Sequence, residues 1–206
     1  MTTADGKVER RRRMPRAERE RQMVAVAEEI FADRGYLAAS MDDIAERCGV
    51  SKPMIYEYFG SKEGLLVACI REARTELAKA TTESVIGAAT PEEALRRGLV
   101  AFFEFTDTHR RAWSLMLRSE AAVAGPAAAA EIEAGRQEQV EIDMALFRAF
   151  LPETSEVELE AAAQIVVGAC ERLSLWYVGR DDVTADQAAD HLMLALWTGL
   201  SSLVRA

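Results

Sequence analysis

Residues 40 to 65 read Ser40-Met-Asp-Asp-Ile-Ala-Glu-Arg-Cys-Gly-Val-Ser-Lys-Pro-Met-Ile-Tyr-Glu-Tyr-Phe-Gly-Ser-Lys-Glu-Gly-Leu65, and this stretch decides the fold. Its physics is that of two short helices crossing at a tight turn. Ser40 places a side-chain acceptor before a first helix, with Asp43 three residues on. Ile44 and Ala45 turn inward, Gly49 supplies the turn conformation and Val50 plugs the corner. Ala45 is small where the two helices approach closely. Ser51 then caps a second helix whose Pro53 lies in the first turn, where its missing N–H costs nothing. Ile55 is the inward anchor of that helix.

With Ile55 and Phe59 inward at i and i+4, Lys52, Pro53, Met54, Tyr56 and part of Tyr58 project from the N-terminal half or flank of the second helix. In a helix-turn-helix this is the part of the recognition helix that meets base edges. The hydroxyls of Tyr56, Tyr58, Ser40 and Ser51 suit phosphate oxygens, as do helix N-termini, and Lys62 adds a point charge where the next helix opens. Arg47, Lys52 and Lys62 stand against Glu57 between 47 and 62, a local charge of +2. Shape and hydrogen bonding therefore contribute beside electrostatics. A capped hairpin of helices also occurs as plain core, but a purely structural surface seldom exposes two tyrosines as a pair.

Just upstream, a helix ends Ala27-Glu-Glu-Ile-Phe-Ala-Asp-Arg-Gly35-Tyr36. With it, residues 16–68, about a quarter of the chain, strongly resemble the N-terminal domain of the TetR family of transcriptional regulators. Phe31, Gly35, Ile44 and Ala45, Gly49 to Ser51, Tyr56, Tyr58 and Phe59, and Lys62 with Glu63 stand where the family pattern has them. Cys48 occupies a position usually held by alanine, a small-for-small replacement. The resemblance implies a three-helix DNA-binding domain over 16–68 and a larger, variable ligand-binding and dimerisation domain over 69–206.

The rest of the chain reads as helix. Its 206 residues are half apolar with a net charge of −9, which suits a globular protein and excludes a collagen, a disordered tail or a disulfide miniprotein. Apolar residues recur at helical spacing and no alternating stretch reads as a strand, so the expected class is all-α. Thr90 with Pro91 and Glu93, Ser155 with Glu158, and Thr184 with Gln187 mark helix starts, and Gly35, Gly49, Gly60, Gly125 and Gly179 mark stops. Nine helices follow, near 16–34, 41–47, 52–58, 62–87, 91–108, 110–123, 126–151, 156–178 and 185–204. The domain boundary falls inside the fourth, whose roughly 25 residues span about 37 Å and so serve both units.

Charge is uneven. Residues 1–22 carry eight basic against four acidic side chains, whereas 71–206 sum to −9. Residues 1–15 thus form a basic, flexible arm whose run Arg10 to Arg13 suits either phosphates or plain solvation. Cys48, Cys69 and Cys170 form no disulfide or metal pattern and fit a reducing compartment. No secretory leader is visible, and the longest uncharged apolar run, Leu192 to Val204, is too short for the roughly 20 residues a membrane span needs. The expected location is the cytoplasm, with no membrane partner.

Phe102, Phe105, Trp113, Met116, Leu117, Phe147, Trp176 and Tyr177, with Phe103 and Phe150 nearby, are candidates to line an apolar ligand pocket between helices, although aromatics at this spacing also suit plain core. Glu104, Asp107, Glu120 and Glu171 would favour a cationic ligand if they point inward. The helix from 156 carries two apolar stripes, one with Leu159, Ala163, Val166, Cys170, Leu173 and Tyr177, the other with Ala162, Ile165, Ala169 and Trp176. The helix from 185 is apolar nearly all round toward its end. One core covers one face, so a second copy is expected on the other, with Val166, Leu173, Leu192, Leu196, Leu200 and Leu203 as interface residues. His109 and His191 have no partner ligands, and no nucleophile, phosphate-loop or metalloprotease motif is present. No catalytic residue, metal or cofactor is expected, and no enzyme.

The expected protein is thus a homodimeric, ligand-responsive transcriptional repressor on a pseudo-palindromic double-stranded DNA operator, released by a small apolar or amphipathic effector. The alternatives are an all-α enzyme or carrier of an apolar ligand, and a DNA-binding protein that ignores ligands.

Overall fold

The computed structural model describes residues 14–110, 113 and 125–204, the last seven by backbone alone. Among them the chain is all-α: α1 Arg16–Arg34, α2 Met41–Cys48, α3 Lys52–Phe59, α4 Lys62–Ser84, α5 Pro91–Thr108, α6 Pro126–Phe150, α7 Glu156–Tyr177 and α8 Ala185–Val204. The arm residues 1–13, the helix expected over 110–123 with Met116, Leu117 and Glu120, and the side chains of Leu200 and Leu203 lie outside that description.

The caps explain most boundaries. Ser155 Oγ accepts the Glu158 N–H while the Glu158 carboxylate accepts from Ser155, a complete capping box. Thr184 and Gln187 exchange the same pair of bonds, and Thr90 caps Glu93. Two expectations fail. Ser51 is extended at the head of α3 but its hydroxyl makes no capping bond. Gly179 ends nothing: α7 stops at Tyr177, with the Val178 N–H bonded to Ser174 O at 2.9 Å. The left-handed glycine after α4 is Gly87, which lets that helix stop at Ser84 rather than run to 87.

Two main cores meet on α4. The first joins α1 to α4, with Met23, Ile30, Phe31, Ile44, Ile55 and Leu65 at its centre, and takes in Ala128 from α6. The second draws on α4, α5, α7 and α8, with Leu99, Phe103, Cys170, Tyr177 and Ala189. Ile70 belongs to the first and Ala73, one turn on, to the second. Each fully buried large side chain stabilises by roughly 1.5 to 3 kcal/mol, so α4 is held from both ends. α6 packs along α4 on one side and α7 on the other.

This packing turns two of the expected interface residues inward. Val166 and Leu192 are buried inside the protomer, and Leu173 and Leu196 pack half-buried against the same core. The outward stripe is the other one: Ile165 is 59% exposed, Trp176 41% and, on α8, Leu194 80%. Neighbours along a helix differ by about 100° of rotation, so Ile165 faces out because Val166 faces in. No helix among the described residues is long and apolar enough to cross a membrane.

Candidate nucleic-acid interface and ligand cavity

The α2–α3 corner is built as its sequence requires. Gly49 is left-handed at φ 65°, ψ 34°, a conformation that a Cβ disfavours. Its N–H bonds Glu46 O, and the Val50 N–H bonds Ala45 O, each at 3.0 Å. Ile55 is fully buried, which fixes the roll of α3 and leaves Ser51, Pro53 and Tyr56 exposed. Tyr56 is 40% open. Lys52, Met54 and Tyr58 flank them half-buried, with the Arg16 guanidinium 4.7 Å from the Tyr58 ring centroid.

Charge on this face is already partly committed. Lys52 Nζ lies 2.9 Å from Asp42, whose carboxylate raises the lysine's pKa. Arg47 pairs with Glu29 and Arg34 with Asp43. The Ser40 hydroxyl accepts the Asp42 N–H at 3.1 Å, leaving its proton as the group a phosphate would meet. Lys62 departs from the expected open point charge. It donates to Leu37 O at 3.2 Å and lies 4.5 Å from the Tyr36 ring centroid, and burial lowers its pKa. It clamps the head of α4 to the α1–α2 turn.

Glu63, beside it, reaches the other half of the protein. Its Oε1 accepts the Ala127 N–H at 2.8 Å and lies 3.4 Å from the Ala128 N, so a carboxylate caps the positive end of α6. Gly125 makes room: at φ 134° it stands where a Cβ would overlap the Glu63 carboxylate.

From that end α6 runs along a cavity of about 440 Å³ enclosed with α4, α5, α7 and Trp113, within the size range of small-molecule sites. Leu77, Leu95, Leu99, Phe102, Trp113, Ile142, Leu146, Phe147 and Val166 form the apolar wall, and Arg74, Glu131, Arg136, Glu138, Gln139, Asp143 and Glu171 the polar part. Trp113 Nε1 donates to Ser174 Oγ at 2.8 Å, which fixes the ring. Arg74 contacts Glu131 at 2.9 Å; its Nε is equally close to Glu138 but misaligned for a hydrogen bond. Arg136 bonds Glu171 at 2.8 Å and Glu133 at 3.0 Å. Burial pushes the Asp143 carboxyl up to about 7, against a lowering bond from Gln139.

Phe102, Trp113 and Phe147 are therefore on the cavity, and Val166 with them, whereas three other aromatic candidates are not. Phe105 stacks on His109, 4.1 Å between centroids. Tyr177 is buried edge-on to Phe103. Trp176 lies on the outer surface under the Arg180 guanidinium. Glu104 and Asp107 are exposed, and Asp107 is tied to Arg110. Sequence reading missed Arg74, Arg136 and Asp143. The signal lay on α6, where Ile132, Arg136, Gln139, Asp143 and Leu146 recur at steps of four and three and so share one face.

Residues 23–69 match the family described as bacterial regulatory proteins, tetR family, and residues 91–199 match the tetracyclin repressor-like C-terminal domain. The chain is 30% identical over 193 residues to the HTH-type transcriptional activator FasR of Mycolicibacterium smegmatis, covering 92% of this chain and 86% of that one. With the HTH-type transcriptional regulator BetI of Rhizobium meliloti it shares 40% identity over 75 residues, 36% of this chain and 37% of that one. A TetR-like transcriptional regulator from Rhodococcus sp. RHA1 superposes with a TM-score of 0.71 at 34% identity, over 92% of this chain and 99% of that one. The transcriptional regulator FadR of Bacillus subtilis, solved in complex with stearoyl-CoA, shares the fold at a TM-score of 0.74 and 18% identity, over 85% and 96%. With both parts of the sequence matched and the α2–α3 corner in place, the chain belongs to the TetR family of transcriptional regulators, which bind DNA through this helix-turn-helix.

Proposed function

We propose that the protein is a dimeric, ligand-responsive regulator that holds a pseudo-palindromic operator through two copies of α3 and leaves it when a small apolar or amphipathic effector fills the cavity. One observation carries this reading: α4 belongs to both cores, and its head is tied to the cavity helix α6 through Glu63. A ligand that displaces α4 or α6 therefore moves the unit that bears α3. For two copies of α3 to enter successive major grooves on one face they must lie about 34 Å apart, so small rotations of α4 alter the fit. The dimer covers the outward stripe of Ile165, Trp176 and Leu194. The setting is the cytoplasm, where the three buried, unpaired cysteines stay reduced.

A coupling of about 1 to 3 kcal/mol changes operator affinity about 5- to 150-fold. A duplex selected by the protein from its own upstream DNA, titrated by fluorescence anisotropy with and without a compound that raises the melting temperature, tests this. Affinity should fall within that range. A compound that fills the cavity and leaves operator affinity unchanged would refute the coupling.

Activation is the second reading, favoured by the similarity to FasR, which is named an activator. Transcription from the selected promoter in vitro separates the two, since protein without effector should lower the transcript if it represses and raise it if it activates.

A further inference from the structure

Among the described residues, one carboxyl on the cavity lacks a countercharge. Both arginines there are engaged, Arg74 by Glu131 and Arg136 by Glu171. Asp143, on α6, has a single hydrogen bond among the described residues, 2.9 Å from Gln139 Nε2 on its own helix. Its carboxyl is closed in by protein, and the half-buried residue borders the cavity. Among the described residues that line the same cavity, α4 contributes Arg74, α7 Cys170 and Glu171, and α6 itself Glu131, Arg136 and Glu138, while α5 contributes apolar residues and Gly98 only. Two cations against four carboxylates leave the described lining net negative.

The kind of ligand follows from that balance. An anionic head would meet arginines already paired and a surplus of negative charge. A plain hydrocarbon would leave the Asp143 carboxyl with its desolvation cost unrelieved. A cation supplies what is missing, and a pair of opposite charges attracts far more strongly here than in water. Resting on the reading of the cavity as the effector site, we infer that the ligand is an apolar molecule with one protonated amine, its ammonium received by Asp143 and its hydrocarbon laid along Leu99, Phe102, Trp113 and Phe147.

The proton balance agrees. Near neutral pH the Asp143 carboxyl is partly protonated, because burial pushes it up to about 7, and an ammonium replaces that proton. Binding strengthens as pH rises through about 7 and fades once the amine itself deprotonates, near 10.

Calorimetry on the full-length protein with decylamine, decanol and decanoate at pH 8 tests the inference. Wild type should bind decylamine at least about tenfold more tightly than either other probe, and less tightly at pH 6. Asp143→Asn, nearly isosteric, should bring the amine down to the level of decanol without changing decanol affinity, and Asp143→Leu should do the same while tightening decanol. Melting curves of both variants report that the fold is kept. Equal or tighter binding of decanoate by wild type, or an amine preference that survives both variants, would overturn the inference. If decanol or decanoate binds and shifts operator affinity without any preference for the amine, this inference falls and the effector site stands. If none of the three binds, both fall.

Discussion

At residue scale, two positions are set by what surrounds them rather than by their own propensity. Gly125 combines a φ of 134° with a Glu63 carboxylate in the space a Cβ would fill. Gly125→Ala should lower stability by about 1 to 3 kcal/mol, read by urea unfolding, and an unchanged midpoint would show that Glu63 does not hold that place. Asp143 is raised to about 7 by burial, above the unfolded value near 3.9. Between those two values the folded state binds more protons than the unfolded one, so this group costs stability increasingly as pH rises from about 4 to 7. Asp143→Asn should therefore be the more stable protein at pH 8, on the order of 1 to 3 kcal/mol, with the difference vanishing toward pH 4. Parallel stability curves for the two proteins would contradict it. Neither environment is legible in the sequence, although the spacing on α6 places Asp143 on one face with Ile132 and Leu146. A glycine before a proline reads as a helix stop, and an aspartate on a helix reads as solvated until the partners on α4 and α7 close over it.

The elements themselves were largely legible because their ends are chemically marked. Ser155 with Glu158 and Thr184 with Gln187 each satisfy two orphan donors, a local bond pattern that needs no tertiary partner. The exceptions depend on distant groups. Lys62 reads as an open cation from its position at a helix start, yet it is drawn to Leu37 O and the Tyr36 ring 25 and 26 residues away. On α7 two apolar stripes were visible, but only the packing of α5 and α8 decides that Val166 faces in and Ile165 out. The bond between Glu63 on α4 and the first turn of α6 is open to a direct test. Glu63→Gln removes the charge at the N-terminus of α6 while keeping an acceptor, and should cost about 0.3 to 1 kcal/mol in unfolding free energy. It should also narrow the change in operator affinity that an effector produces, measured by anisotropy. A full-sized response in that variant would mean that α4 alone carries the coupling.

For the whole molecule, the proposed pairing of copies rests on the outward faces of α7 and α8. Trp176 and His191 lie edge to face, 6.3 Å between centroids, across the two helices, and Leu194 stands one turn beyond. Leu194→Glu should give a monomer by sedimentation velocity with unchanged helical content by circular dichroism, because Leu194 touches little of its own protomer. Leu196 would be a poorer probe, since it packs against the core. A dimer that survives Leu194→Glu would place the interface elsewhere. The two-part organisation was legible from the helix-turn-helix and the long fourth helix, and part of the cavity's apolar wall from Phe102, Trp113 and Phe147, whereas most of its polar lining was not, being drawn from three helices far apart in the chain. Contact between the exposed side of α3 and DNA is decided by the equilibrium affinity of Tyr56→Ala for an operator selected by the wild-type protein. The variant should bind at least about tenfold more weakly, roughly 1.4 kcal/mol, at an unaltered melting temperature; an affinity equal to wild type would take α3 off the DNA.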